Sequence, residues 1–115
     1  MRRVRLITVV FFLIFFFLLF FAMSANKPDG KAIFEKNCKS CHDVTGKGNP
    51  KVAKILKVDL VKLDLTKKET SEKKDSELIK TVSEGSSSGK MKGFKEKLSK
   101  EEITTVVAHV RSLKK

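Results

Sequence analysis

Residues Cys38-Lys39-Ser40-Cys41-His42 bring two thiols and an imidazole into one short stretch. On a turn of helix, positions i, i+3 and i+4 share a face. Two thiols so spaced can meet the two vinyl edges of a porphyrin while the next imidazole lies under its iron, and C-x-x-C-H is the pattern of covalent c-type haem attachment. Three other chemistries use similar residues. A thioredoxin-type redox pair shares C-x-x-C but needs the strands of a βαβ unit, and little β-branched alternation surrounds this site. A zinc site needs two more ligands; His109 lies 67 residues beyond His42 and the sequence has no third cysteine. A disulfide between Cys38 and Cys41 would close a tiny loop and stabilise little.

A haem held by His42 alone leaves the second face of its iron open. Met91 is the only methionine beyond residue 23, and it follows Gly85-Ser86-Ser87-Ser88-Gly89-Lys90. Such a loop can take the tight path that brings one side chain over a flat ring. Methionine alone would read as core filling; its place in a glycine-flanked loop downstream of C-x-x-C-H makes it the leading axial ligand. His109 competes, but its helical segment suits packing against the first helix of the domain. Lys90, Lys92 and Lys95 are neighbours that can displace Met91 at high pH, as a minor state. Pro50 completes the set of cofactor-binding candidates. It offers a carbonyl without an amide donor, and a ligating histidine usually gives its second ring N–H to such an acceptor.

Short helices must position these groups. Asp29 is a cap for a helix from Gly30 to about Ser40, with Ala32, Ile33 and Phe34 on its apolar side. Asn49-Pro50 is a cap and first-turn signal for a helix through Ala53 to Leu56. Val58 to Leu65 lacks helical spacing and reads as a loop along one edge of the haem. Asp75 is a cap for a helix carrying Leu78, Ile79 and Val82, stopped by Gly85. Ser99 and Glu102 form a capping box. Behind it Ile103, Val106, Val107 and Val110 fall at i, i+3, i+4 and i+7, the clearest amphipathic helix in the chain.

The 115 residues allow one small domain, and the net charge is +12. Seven of the nine Phe (positions 11, 12, 15, 16, 17, 20 and 21) stand in the first 25 residues. There Arg2, Arg3 and Arg5 precede an apolar run from Leu6 to Met23, followed by the small residues Ser24 and Ala25, with Ala22 inside its end. This is the charged, apolar and small-residue order of a secretory signal. The 18 residues from Leu6 to Met23 also suffice for an uncleaved anchor. Either way, the domain at residues 26–115 is exported. It holds 27 hydrophobic residues and 22 Lys and Arg against 13 Asp and Glu, a net +9. So thin an apolar complement calls for something besides side chains to fill the middle.

The pattern resembles the class I, single-haem bacterial cytochromes c, the small electron carriers of the c6 and c551 kind. The resemblance spans residues 29–114 and rests on Gly30-x-x-x-Phe34, Cys38-x-x-Cys41-His42, Gly46-x-Gly48-x-Pro50, Asp64-Leu65-Thr66, Gly85, Met91-x-x-Phe94, Leu98-Ser99-x-Glu101-Glu102-Ile103 and Val106-Val107-Ala108-x-Val110. It implies an all-α cytochrome c fold: about four short helices around one covalent haem c, preceded by the signal or anchor at residues 1–25. It also implies that Cys38 and Cys41 form thioethers and that His42 and Met91 are the axial ligands. The first and last helices of the domain would cross, with Gly30 allowing close approach and Phe34 near Val106 and His109. Two positions depart from the family pattern: Lys92 stands where proline often follows the distal methionine, and His109 replaces an aromatic residue of the last helix.

The function so implied is one-electron transfer, not catalysis. A ring of lysines around the haem edge would steer the carrier to redox proteins with acidic docking surfaces, such as a membrane oxidase, reductase or dehydrogenase. Nucleic acid, the other common partner of a basic chain, does not suit an exported domain. Two alternatives carry their own signatures. An electron-accepting subunit of a larger dehydrogenase or oxidase would co-purify with it. A haem peroxidase or gas sensor would need a labile Met91.

Overall fold

In the computed structural model, residues 1–21 and 26–114 are described. They form seven α-helices: α1 (Arg2–Phe21), α2 (Gly30–Asn37), α3 (Lys39–His42), α4 (Pro50–Leu56), α5 (Lys68–Glu72), α6 (Asp75–Glu84) and α7 (Lys100–Ser112), with a 3-10 turn at Leu60–Lys62. Among the described residues there is no β-strand, only an isolated antiparallel bridge between Gly85 and Lys92.

α1 has 20 residues and no buried side chain. At 1.5 Å per residue it is about 30 Å long, the thickness of a bilayer's hydrocarbon core. Ala22, Ser24 and Ala25, the small residues of the cleavage signal, lie outside the described residues.

The core sits where α2 crosses α7. Asp29 caps α2 by accepting the Lys31 amide at 3.0 Å, and Gly30 and Phe34 are its buried residues. The expected capping box opens α7: Glu102 N–H donates to Ser99 Oγ at 3.1 Å and Ser99 N–H to Glu102 Oε2 at 2.8 Å. Ile103, Val106 and Val107 are buried on α7. Phe34 is fully enclosed (0% exposed), and its ring lies 5.2 Å from that of His109 at a tilt of 54°. His109 therefore fills the aromatic position of the crossing. Gly30 is required there, because a Cβ would stand 2.5 Å from the Thr105 carbonyl oxygen and 3.1 Å from His109 Cβ.

The four helices read from the sequence are α2, which ends at Asn37 instead of near Ser40 and is followed by the separate turn α3, and α4, α6 and α7. Asn49 caps α4 by accepting the Lys51 amide at 3.0 Å, with Pro50 in the first turn. α6 ends at Gly85, whose φ of 91° suits glycine. Its start differs from expectation. Lys74 N–H donates to Glu77 Oε2 at 2.8 Å, while the Asp75 carboxylate, read as the cap, instead accepts from Arg111 Nε at 2.8 Å. α5 has no signal in the sequence, since its five polar residues carry no apolar period. The same Arg111 guanidinium secures it, donating to the carbonyls of Thr70 (3.1 Å), Ser71 (3.2 Å) and Lys73.

Candidate haem-attachment site

The backbone folds Cys38–His42 into one turn, with Cys41 N–H and His42 N–H both donating to the Cys38 carbonyl, at 3.2 and 3.0 Å. Cys38, Cys41 and His42 therefore share a face at the i, i+3, i+4 spacing read from the sequence. Both cysteines are free thiols and half-buried. Burial first, and then the charge of Cys41, push the Cys38 thiol up to about 11. A thiol so held is protonated at neutral pH and unlike the acidified nucleophile of a thioredoxin-type pair. Among the described residues no three His, Cys, Asp or Glu side chains gather into a cation site, which gives the zinc reading no support.

The turn is clamped from behind. Gly48 N–H donates to the His42 carbonyl at 2.8 Å, Asn49 N–H to that of Cys41 at 2.9 Å, and Asn49 Nδ2 to that of Ser40 at 3.0 Å. Gly48 has a φ of +89°, and a Cβ on it would stand 3.0 Å from both Leu60 Cδ1 and Leu63 Cβ. Its missing side chain lets the 3-10 turn close on the histidine. His42 Nδ1 is then 2.8 Å from the Leu63 carbonyl oxygen. A carbonyl only accepts, so Nδ1 carries the hydrogen and donates, leaving the Nε2 lone pair free to bind a metal. Burial lowers the His42 pKa, outweighing the opposing bond to Leu63, and so favours this neutral ring.

The acceptor expected from the sequence was the Pro50 carbonyl, and this is corrected: the bond goes to Leu63. Pro50 is the first residue of α4, where a carbonyl is directed along the helix toward the amide four residues on. Asn49 beside it makes contact with the motif, its backbone N–H donating a hydrogen bond to the Cys41 carbonyl. No side-chain pattern could have revealed Leu63, because the group used is its backbone oxygen.

Met91 belongs to a separate hydrogen-bonded unit, the loop between α6 and the Ser99 cap. Its N–H donates to Ser86 Oγ at 3.0 Å and its carbonyl accepts from Ser86 N–H at 3.0 Å. The side chain is half-buried. Lys95 is occupied by Glu84 at 2.9 Å, whose hydrogen bond and charge hold the Lys95 pKa above the ordinary lysine value.

Residues 28–114 match the family model described as Cytochrome c. The chain belongs to the cytochrome c family. Among solved structures, this cytochrome is similar to the KustC0563 c-type cytochrome, with 31% identity, a TM-score of 0.63, and coverage of 76% of this chain and 99% of the other. A tyrosine-to-phenylalanine mutant of that protein matches at 31% identity and TM-score 0.61, over 75% and 99% of the two chains. No curated protein sequence gives a significant match. Family membership implies a covalent c-type haem, and the residues present fit one. Two unbridged thiols and an imidazole with a free Nε2 share one face. The apolar residues Val44, Leu60 and Val61 stay 37 to 53% exposed in the protein alone.

Proposed function

We propose that this cytochrome is an exported one-electron carrier with His42 and Met91 as axial ligands and Cys38 and Cys41 as thioether anchors. The observation that carries the reading is the His42 Nδ1 bond to Leu63, which leaves Nε2 as the only ring atom able to ligate. Bound there, the haem supplies a one-electron iron couple, with thioether ligation raising its potential. The chain's own part is to hold its donors still. The Leu63 carbonyl fixes the ring plane of His42, the Gly48 and Asn49 amides fix the turn beneath it, and the Met91 loop is tied back to α6.

Charge supports a partner with an acidic docking surface. Between Val44 and Leu63 stand Lys47, Lys51, Lys54, Lys57 and Lys62 with one acid, Asp59, whose carboxylate already accepts the Val61 amide at 3.1 Å. Ile55, 77% exposed on α4, adds an apolar group to this basic segment. A partner of opposite charge is steered to such a segment, and added salt weakens the steering. Helix α1 suits delivery across a membrane or tethering to it.

The test is a pyridine haemochrome spectrum with intact mass, joined to the far-red sulfur-to-iron band of the ferric protein. One covalent haem, and a band that Met91→Ala abolishes, are expected. A chain exported without covalent haem, or a band that survives Met91→Ala, would refute the assignment. For the partner, electron-transfer rates with an acidic redox protein should fall as salt is raised.

A further inference from the structure

We propose that Ser86 is the positioning residue for Met91, holding the ligand loop through its side-chain oxygen. This rests on the reading of Met91 as an axial ligand and names what keeps it in place. Ser86 and Met91 are joined in both directions: the Met91 amide donates to Ser86 Oγ at 3.0 Å, and the Ser86 amide donates to the Met91 carbonyl at 3.0 Å. Ser86 Oγ also lies 3.1 Å from Ser88 Oγ, and the Gly89 amide donates to the Ser86 carbonyl at 3.0 Å. One half-buried serine thus closes the loop on itself with both backbone groups and its hydroxyl.

The glycines at the ends show how little room the arrangement leaves. A Cβ on Gly85 would stand 2.6 Å from the Met91 carbonyl oxygen, and one on Gly93 2.5 Å from that of Ser83. The Phe94 and Lys95 amides then donate to the carbonyls of Val82 (2.8 Å) and Ser83 (3.2 Å), anchoring the loop to α6. Between these anchors, Lys92 follows Met91, so no proline ring restrains the chain there. Of the two bonds made on Met91 itself, the one to the Ser86 hydroxyl is the one that a side chain supplies. Without it the Met91 amide loses its acceptor, and the loop gains freedom to carry the thioether away from iron.

The experiment uses the full haem-loaded chain in the ferric state, titrated with imidazole as a competing ligand while the far-red band is followed. Ser86→Ala is expected to bind imidazole about three- to tenfold more tightly, the equilibrium equivalent of one neutral hydrogen bond. Ser86→Thr, which keeps the hydroxyl, should lie near wild type, and Ser87→Ala at the exposed neighbouring position should match wild type. If Ser86→Ala does not accumulate with haem, Ser86→Val against Ser86→Thr makes the same comparison at equal volume. Equal imidazole affinity with and without the hydroxyl, the wild-type band being present, overturns the role of Ser86 and leaves Met91 as ligand. A wild-type protein without the band overturns both.

Discussion

The imidazole Nδ1 of His42 and the carbonyl oxygen of Leu63 are 2.8 Å apart, although 21 residues separate them. The 3-10 turn at Leu60–Lys62 delivers that oxygen, and the Leu63 side chain, 8% exposed, holds the turn in the core. Leu63→Ala should therefore destabilise the domain by about 2 to 4 kcal/mol through lost burial and the cavity left behind. Leu63→Met, which conserves volume, should stay within about 1.5 kcal/mol of wild type. Denaturant unfolding midpoints at unchanged slope check both.

The crossing of α2 and α7 depends on the absence of a side chain at Gly30. An added methyl would be 2.5 Å from the Thr105 carbonyl oxygen, a backbone atom that moves only with its helix. Gly30→Ala should lose about 1 to 3 kcal/mol by overpacking, despite alanine's better helix propensity. A midpoint at or above wild type in chemical denaturation would refute the close approach.

Arg111 fastens the segment from α5 to the start of α6 onto α7 through Asp75 and the carbonyls of Thr70, Ser71 and Lys73. Arg111→Gln should cost about 1.5 to 3 kcal/mol, as bonds from a charged donor do. Amide exchange should accelerate across residues 68–75 more than in α2. By contrast, Lys68→Ala removes an exposed pair with Glu72 at 3.3 Å and should cost no more than about 0.5 kcal/mol. Mass-resolved hydrogen exchange separates the two.

Asp64 makes stability fall in acid. Burial opposes its ionisation, but the Thr66 hydroxyl (2.6 Å) and amide (2.9 Å), with Lys67 at 3.8 Å and the charge of Lys47, hold its carboxyl below the ordinary 3.8. Because the folded pKa is the lower one, the stabilisation is fully present above the unfolded value and is lost as pH falls through the folded value. Asp64→Asn keeps an acceptor and removes the charge. It should flatten this part of the acid limb below about pH 4, seen in unfolding midpoints against pH.

Local chemistry was legible in the residues themselves. Asp29, Asn49-Pro50 and the Ser99–Glu102 box marked where α2, α4 and α7 begin, because a cap is satisfied by amides two or three residues away. The spacing of Ile103, Val106 and Val107 marked the buried face of α7. C-x-x-C-H marked the haem turn, since its geometry is complete within one turn of backbone. α5 is not legible in the sequence because Arg111, some 40 residues away, secures it and its own residues carry no period.

By itself, then, the sequence determined the helical class, a C-x-x-C-H spacing that fits covalent haem and the apolar leading helix, all of which depend on neighbours within a few positions. Tertiary structure alone decided which carbonyl holds His42, what closes the loop at Met91 and what Asp75 binds. Those partners are backbone oxygens or distant charges. Backbone oxygens are the same at every residue, so only the path of the folded chain determines which one arrives at 2.8 Å from an imidazole.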